Sequence, residues 1–294
     1  MPSSITTKVI GAVLIVTLFF VSAYAVVRFQ KKAPAPEVAP IVIEKAKSFQ
    51  KKTLGTSVQG RAIDAYTYGQ GRTHLLFVGG IHGGYEGNSV ALAYQFIEYL
   101  KTHPEFVPAN ITVSVIPDAN PDGVYKALGL EGEITAADVA TEKDLSVGRF
   151  NANGVDLNRN FDCKWNPKGV WKGKSVSTGS GAFSEPESKI LRDFVTANTI
   201  SAAVFWHSQA NAVYASQCEK GILPVTLDIM NAYADASGYK AVETFDAYAV
   251  TGASEDWLAS IGIPAITVEL STHSAVEWNK NSAGIAALFK YYVQ

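Results

Sequence analysis

The sequence has few cysteines and no excess of positive charge. Its 294 residues contain only Cys163 and Cys218, which are too few for a four-thiolate zinc centre. The net charge is −2 at pH 7, and no basic stripe with interleaved aromatic residues is present, so the composition argues against binding to nucleic acid. No internal repeat is present either. What the chain does have is a hydrophobic content of 47%, enough to bury a large core.

The N-terminal part contains one long hydrophobic run, residues 9–27, which carries no charge. In a helix this run is about 28 Å long, enough to cross the hydrocarbon core of a bilayer. Two interpretations stay open: an uncleaved membrane anchor, favoured because the apolar run continues past residue 25, or a signal peptide cut there after Ala-Tyr-Ala. We divide the chain into this segment (1–29), a Pro-rich linker (30–44) and a folded domain (45–294).

Short apolar runs alternate with helical patterns in the folded domain. Buried strands are predicted at 74–78, 111–116, 202–206 and 265–268, and helices over 88–100, 184–197, 226–237, 255–260 and 281–292. Residues 57–68 indicate two strands around a turn, 117–123 indicate another turn, and Ser184 is the predicted N-cap of its helix. The alternation predicts an α/β/α sandwich with a mixed, mostly parallel central sheet.

Histidine and glutamate side chains follow three of the predicted strands. His82 and Glu86 lie on a glycine-rich turn after the first, His207 follows the strand at 202–206, and Glu269 ends the strand at 265–268. Parallel strands end at a common rim, so these residues can converge. Two ligands close in sequence and a third far along are typical of catalytic zinc, which keeps an open position for water. Glu269 is then placed to accept the proton of that water and pass it to a leaving group.

Several short motifs surround these residues in a characteristic order. They are His82 with Glu86, residues 120–123 (Asn-Pro-Asp-Gly), 154–161 (Gly-Val-Asp-Leu-Asn-Arg-Asn-Phe), 184–187 (Ser-Glu-Pro-Glu), 207–208 (His-Ser), Tyr248 with 254–257 (Ser-Glu-Asp-Trp), and 268–270 (Val-Glu-Leu). With these motifs the chain, from about residue 50 to its end, resembles the zinc metallocarboxypeptidases A and B. The resemblance implies a catalytic domain with one zinc ion per chain, bound by His82, Glu86 and His207, and Glu269 as general base and then acid.

The resemblance also assigns roles in substrate binding. Arg149 would polarise the scissile carbonyl and stabilise the oxyanion. Asn158 and Arg159 would hold the terminal carboxylate of a peptide, which a guanidinium can do bidentately. Tyr248 would close over the substrate and donate a hydrogen bond. Asp156 would lie behind the metal site and orient the first histidine ligand.

Two features of the sequence bear on the resemblance: the spacing of the first two ligands and the residue at position 255. The family usually spaces its first two ligands as His-x-x-Glu, whereas this chain has one extra residue between His82 and Glu86, which the glycines of the turn can absorb as a bulge. Glu255 aligns with the family position at the base of the pocket for the leaving residue, and a carboxylate there would favour a cationic side chain. Alternatively, Glu255 is the first-turn acid of a short helix and faces solvent.

Whether the two cysteines form a disulfide depends on the compartment in which the protein works. Outside the cytoplasm Cys163 and Cys218, both expected near the site, would form a disulfide; otherwise they are two buried thiols. We expect a monomer with an extracytoplasmic catalytic domain that is anchored in the membrane, or secreted if the N-terminal segment is cleaved. No nucleic-acid partner is expected.

Three functions compete for such a chain. The first is a carboxypeptidase acting on peptides with a free C-terminus, with cell-wall peptides among the candidate substrates. The second is a zinc-dependent deacylase of N-acyl amino acids, which resembles the same core and also uses an Asp-Leu-Asn-Arg motif. Tyr248 and the Ser-Glu-Pro-Glu segment argue against it. The third, a non-catalytic binding module on the same fold, would be expected to lack a ligand or Glu269.

Overall fold

The structure is a computed structural model that describes residues 49–139 and 145–293. The N-terminal anchor or signal segment (1–29) and the linker (30–44) lie outside the described residues, and their assignments stay predictions. Among the residues that are described, no helix has the length and apolar character needed to cross a membrane.

Twelve strands are present in the described residues. In chain order they are β1 (Gln50–Thr56), β2 (Ala62–Tyr68), β3 (Thr73–Val78), β4 (Ile111–Ile116), β5 (Gly169–Trp171), β6 (Lys174–Val176), β7 (Ala202–Ser208), β8 (Ala212–Ala215), β9 (Gln217–Cys218), β10 (Gly221–Ile222), β11 (Lys240–Val242) and β12 (Ala265–Leu270). Eight of them form one sheet in the order β1-β2-β4-β3-β7-β12-β8-β11, and the other four form two small hairpins. The central strands β4, β3, β7 and β12 are parallel, whereas β1, β2 and β8 add antiparallel pairings. The predicted mixed, mostly parallel sheet is confirmed.

Helices cover both faces of the sheet. They are α1 (Gly87–Thr102), α2 (Pro121–Leu128), α3 (Ala136–Val139), α4 (Pro186–Ala197), α5 (Pro224–Ser237), α6 (Ser254–Ser260) and α7 (Trp278–Val293). Along β7, Val204 and Trp206 pack in the layer that contains α1, α5 and α7. The alternate residues Ala203 and Phe205 pack in the layer that contains α4 and α6. Strand alternation therefore sends side chains into two cores, as expected for a parallel sheet covered on both faces.

Two local predictions are wrong at helix starts. Residues 117–123 are not only a turn, because α2 begins at Pro121 and the Asn120 side chain accepts a hydrogen bond from the Gly123 amide. An Asn-Pro pair starts a turn and a helix equally well. The N-cap of α4 is Glu185 and not Ser184. The Ser184 hydroxyl instead donates to Glu185 and accepts from Asn160, and so it is not available to cap the helix.

Candidate active site

The turn after β3 brings two of the expected metal ligands together. His82 precedes a short 3₁₀ turn, Gly83–Glu86, and Glu86 is its last residue. Gly83 has a φ of +47°, and a Cβ atom there would lie 2.6 Å from the carbonyl oxygen of Gly148. Only glycine fits such a position without strain. The 3₁₀ turn accommodates the extra residue between the two ligands and directs both toward the rim of the sheet.

The described residues contain one cluster suited to a metal ion, formed by His82, Glu86 and His207. Each offers a ligand atom, these atoms lie within 4.8 Å of one another, and the three residues are only 3–4% exposed. Two imidazoles and one carboxylate are a donor set of catalytic zinc sites. Buried atoms of this cluster, Nδ1 of His82 and Nε2 of His207, have no hydrogen-bond partner within the described part of the chain. The residues present therefore fit a zinc ion.

Burial and charge act in opposite directions on the two histidines. Burial, with the positive charge of Arg149, holds the pKa of His82 well below its ordinary value. Burial also acts to lower the pKa of His207, but the nearby carboxylates, chiefly that of Glu86, together have the larger effect, and the net result is a pKa raised to about 9. Nδ1 of His207 lies 3.0 Å from Oε2 of Glu86, an ion-pair distance without the alignment of a hydrogen bond. The site is therefore strongly organised by charge, as catalytic sites commonly are.

Glu269 stands beside this cluster at the end of β12. Its backbone is paired with His207 of β7. The residue is partly open to the pocket, while its Oε2 atom is buried and has no hydrogen-bond partner within the described residues. Burial, with the nearby charge of Glu86, raises the pKa of Glu269 to about 8. A carboxyl group with a raised pKa next to a metal cluster is a candidate acid and base.

Arg149 and Asp156 form a buried ion pair behind the cluster. Nε and Nη2 of Arg149 donate to Oδ2 of Asp156 at 3.0 and 2.8 Å. Oδ1 of Asp156 lies 3.5 Å from Nδ1 of His82, and Nη1 of Arg149 lies 3.9 Å from Glu86. One carboxylate thus faces both the arginine and the histidine. The predicted neighbours Asp156 and His82 do lie together, although 3.5 Å is too long for a strong hydrogen bond.

Asn158 and Arg159 lie on another 3₁₀ turn, Leu157–Arg159, which Asp156 caps. The guanidinium of Arg159 is anchored by carbonyl oxygens, those of Asn158 at 2.6 Å and Val170 at 3.2 Å. Its Nε atom is buried and has no partner among the described residues. Arg159 has no carboxylate within ion-pair distance there either, so this buried cation, which lines the pocket, is left without a partner anion.

Glu255 is in the first turn of α6 but does not face solvent. It is 9% exposed and lines the same pocket as the metal cluster. Its carboxylate accepts from the Ser254 hydroxyl at 2.8 Å and lies 3.4 Å from the Asn158 amide nitrogen. Burial, with the charge of Glu255, raises the pKa of the neighbouring Asp256 to about 7. This end of the pocket is therefore acidic.

Tyr248 lies on the segment between β11 and α6. It is half-buried and lines the pocket. Its ring packs edge-on against Phe245, with centroids 4.9 Å apart, and Phe245 packs in turn against Tyr214. The phenol thus has an aromatic support at the pocket mouth. Nearby, Cys163 and Cys218 are joined in a disulfide that ties the Asn-Arg-Asn-Phe segment to β9.

Several residues of the pocket were not predicted from the sequence, and four of them lie on the side of the pocket near Arg149 or carry rings and charges that bear on binding. Tyr85, Trp171, Lys172 and His273 line the same pocket of about 480 Å³ as the cluster. The Tyr85 and His273 rings lie 4.4 Å apart. Tyr85 adjoins Glu86 in sequence, and this adjacency was the one signal that could have pointed to it. Trp171 and Lys172 belong to a small hairpin far from any recognised motif.

The comparison with known families agrees with this geometry. A sequence model of the family described as zinc carboxypeptidase matches residues 41–286, most of the chain. The chain therefore belongs to the zinc carboxypeptidase family, whose members are zinc-dependent hydrolases.

Individual relatives are more distant. The gamma-D-glutamyl-L-diamino acid endopeptidase 1 of Lysinibacillus sphaericus is 26% identical over 175 residues, which cover 55% of this chain and 42% of that protein. The chain thus spans less than half the length of this relative. Bovine thrombin-activatable fibrinolysis inhibitor has a TM-score of 0.67 at 19% identity, covering 83% of this chain and 90% of that one. The murein-tripeptide amidase of Escherichia coli O157 has a TM-score of 0.56 at 20% identity, with 83% and 96% covered. These two structures show the shared fold.

Proposed function

We propose that the protein is a zinc-dependent carboxypeptidase that hydrolyses the C-terminal amide bond of peptides carrying a free terminal carboxylate. One observation carries the proposal: the three metal-binding donors, Glu269 and Arg159 all line one pocket. A metal cluster, an acid–base group and a carboxylate-binding cation are what such a reaction needs at one place. The family assignment supports the class of reaction, and the substrate is our inference.

Glu269 is the group that moves protons in this scheme. Zinc bound at the three donors would supply a Lewis acid, polarise the scissile carbonyl or a water molecule, and lower the pKa of a carboxyl group beside it. In its ionised form Glu269 would take a proton from the attacking water and deliver it to the leaving nitrogen. Arg149 would place its remaining guanidinium protons toward the scissile carbonyl oxygen, where negative charge develops. Its ion pair with Asp156 holds it in that orientation.

The end of the substrate would be selected by Arg159. Its guanidinium lines the pocket and would donate to the terminal carboxylate in charge-assisted hydrogen bonds, each roughly twice as strong as a neutral one. The Asn158 amide, fixed by Ser254 at 2.8 Å, would stand beside it. Tyr248 would cover the bound residue from the pocket mouth. An amide bond in mid-chain offers no carboxylate to this anchor, so the site favours an exopeptidase.

The leaving residue would carry a positive charge on its side chain. Glu255 is buried in the pocket, and an anion in such a position is costly unless a cation meets it. Lysine, arginine or the second amine of a diamino acid provides that cation. The names of two similar proteins mention a diamino acid and a murein tripeptide. We therefore include cell-wall peptides that end in a diamino acid among the proposed substrates.

The location of the enzyme remains part of the proposal. Residues 9–27 have the length of a membrane span, and the disulfide Cys163–Cys218 suits an oxidising compartment. We propose an anchored or secreted enzyme whose catalytic domain works outside the cytoplasm.

A matched set of substrates tests this function. The zinc-loaded full chain is incubated with one peptide sequence ending in Lys, Leu or Glu, the Lys peptide as its C-terminal amide, and an N-acyl lysine. We expect loss of one residue from free C-termini, fastest for Lys, and little reaction of the amide. Cleavage of the N-acyl amino acid but of no peptide would replace the proposal by the deacylase. An unchanged ranking of the three peptides after Glu255→Ile would remove Glu255 from the specificity.

A further inference from the structure

The hairpin formed by β5 and β6 places a lysine in the pocket at a strained position. Trp171 and Lys174 are paired across the hairpin, so Lys172 and Gly173 form a two-residue loop. Their φ angles are +48° and +75°, as in a type I′ turn, where Asn-Gly is strongly preferred and β-hairpins are favoured. A lysine at the first of these positions is unfavourable for the backbone. Strain of this kind commonly persists where a side chain is needed for function.

The side chain of Lys172 is held by neutral groups. Its Nζ donates to the hydroxyl of Tyr85 at 2.9 Å and lies 5.6 and 5.4 Å from the ring centroids of Tyr85 and Trp171. No carboxylate of the described residues lies within ion-pair distance of it. Because the Tyr85 oxygen accepts from Lys172, the Tyr85 hydrogen is still free to donate. The ammonium and the phenol can thus contact one anion together.

The position of this pair relative to Arg149 indicates which part of a substrate it meets. The guanidinium of Arg149 lies 4.5 Å from the Trp171 ring centroid and faces the scissile carbonyl in the proposed reaction. The terminal carboxylate and the leaving side chain are assigned to Arg159 and Glu255, which are tied to other elements. Because Arg149 lies against both Tyr85 and Trp171, a residue whose carbonyl meets Arg149 would lie beside the wall of Tyr85, Trp171 and Lys172.

We propose that Lys172, positioned by Tyr85, is a specificity residue that binds a free carboxylate on the residue supplying the scissile carbonyl. The inference rests on the proposed function. Two substrates present such a carboxylate: a glutamyl residue linked through its γ-carboxyl, which keeps its α-carboxylate, and an α-linked residue with an acidic side chain. The extra residue in the first ligand motif would then have a role in binding, since the longer spacing leaves room for Tyr85 directly before Glu86, where its hydroxyl accepts a hydrogen bond from Lys172.

The test compares substrates that differ only in this carboxylate. The zinc-loaded full chain is given γ-D-glutamyl-L-lysine and its α-carboxamide analogue, and N-acetyl-α-glutamyl-lysine and its glutamine analogue. Lys172 is exposed, so a modest preference for the acid, about fivefold in kcat/KM, is expected. Added salt should reduce the preference. If the γ-linked pair shows the preference, the carboxylate is the α-carboxylate of the glutamyl residue; if the α-linked pair shows it, the carboxylate is that of an acidic side chain.

Variants of the hairpin separate this role from folding. Lys172→Asn puts a favoured residue into the turn, so the variant should fold well. We expect the ratio of kcat/KM for the acid substrate to kcat/KM for its amide analogue to fall to about one. Tyr85→Phe should lower the ratio in part. The control Lys174→Gln removes an exposed charge from the same hairpin and should keep the ratio. A wild-type ratio near one for both linkages, or a ratio retained by Lys172→Asn, would overturn the inference.

Failure of the proposed function gives a different result. If none of the four compounds is hydrolysed, the peptides with free and amidated C-termini described above decide the carboxypeptidase assignment separately. Calorimetric binding of the same compounds then decides the role of Lys172. Tighter binding of the acids in the wild type, lost in Lys172→Asn, would support it, and equal binding of acids and amides would reject it.

Discussion

Glu269 of β12 and His207 of β7 occupy paired positions on neighbouring parallel strands. Paired residues on adjacent strands lie side by side at the spacing of the sheet, about 4.8 Å. The sheet itself therefore sets the distance between a proposed metal ligand and the proposed proton carrier, without a contribution from loops. A substitution at one of them can be used to separate metal binding from proton transfer.

Glu269→Gln should keep zinc bound and lose turnover. The amide keeps the shape of the side chain but cannot carry a proton, and general acid–base catalysis contributes about 10²–10⁴-fold. Zinc content and kcat are measured on the same preparation, with Glu219→Gln, an exposed glutamate outside the pocket, as control. A variant with near-normal kcat would exclude Glu269 as the base, and one that loses zinc would make it a ligand.

Glu86→Gln tests the extra residue in the first ligand motif. Loss of a carboxylate from the donor set should weaken zinc binding by at least about a hundredfold, because even residues behind metal ligands contribute 10–100-fold. Competition with a chelator of known affinity measures the change. Unaltered zinc affinity would mean that another group completes the site.

Arg159→Gln should weaken the reaction of peptides with a free C-terminus more than that of amidated peptides. Because its proposed partner is the terminal carboxylate, we expect KM to rise much more for peptides with a free C-terminus than for amidated ones. The relative loss should be about tenfold or more, as for a charge-assisted hydrogen bond. Arg72→Gln, an exposed arginine outside the pocket, is the matched control. An equal effect on both kinds of peptide would contradict the assignment.

The buried Asp118 should make stability depend on pH. Burial raises its pKa from the ordinary 3.8 to about 7, so between these values the folded protein binds more protons than the unfolded chain. The free energy of unfolding should therefore fall as pH rises from about 4 to 7, by up to about 4 kcal/mol, and this contribution should be constant above that range. Asp118→Asn should remove this residue's share of the slope, while the buried carboxyl groups of Asp256 and Glu269 keep theirs.

Denaturant unfolding of Asp118→Asn and of the wild type, both in chelator, measures this effect. Chelator removes metal binding from the comparison. The stability of the variant relative to the wild type should rise across the window. A difference that does not change with pH would show that Asp118 titrates near its ordinary value.

The sequence predicted the parts of the site that local signals describe. His207 and Glu269 follow compact apolar runs, and a buried parallel strand is recognisable from such a run alone. Their convergence followed from the rule that strand ends share a rim. The turn with His82 and Glu86 was recognisable from its glycines.

The missed residues depend on contacts between distant segments. Trp171 ends a strand of three residues, too short for a period-two pattern. Lys172 lies in the two-residue loop that follows, and the lysine contradicts the preference of that turn. Tyr85 and His273 belong to segments far apart in the sequence, and their rings meet only in the folded structure. Ser184 is of the residue type that commonly caps a helix, but hydrogen bonds with Asn160 and Glu185 occupy its hydroxyl.

In the proposed function, one zinc ion at His82, Glu86 and His207 is required to remove a C-terminal residue. The most direct measurement is a zinc titration of the full chain after exhaustive chelation, with hydrolysis of a peptide ending in lysine followed at each step. Such a requirement predicts no activity at the start, a linear rise, and a plateau at about one equivalent of zinc. Full activity in the chelated chain, or no activity at any zinc level with a range of peptides, would contradict it.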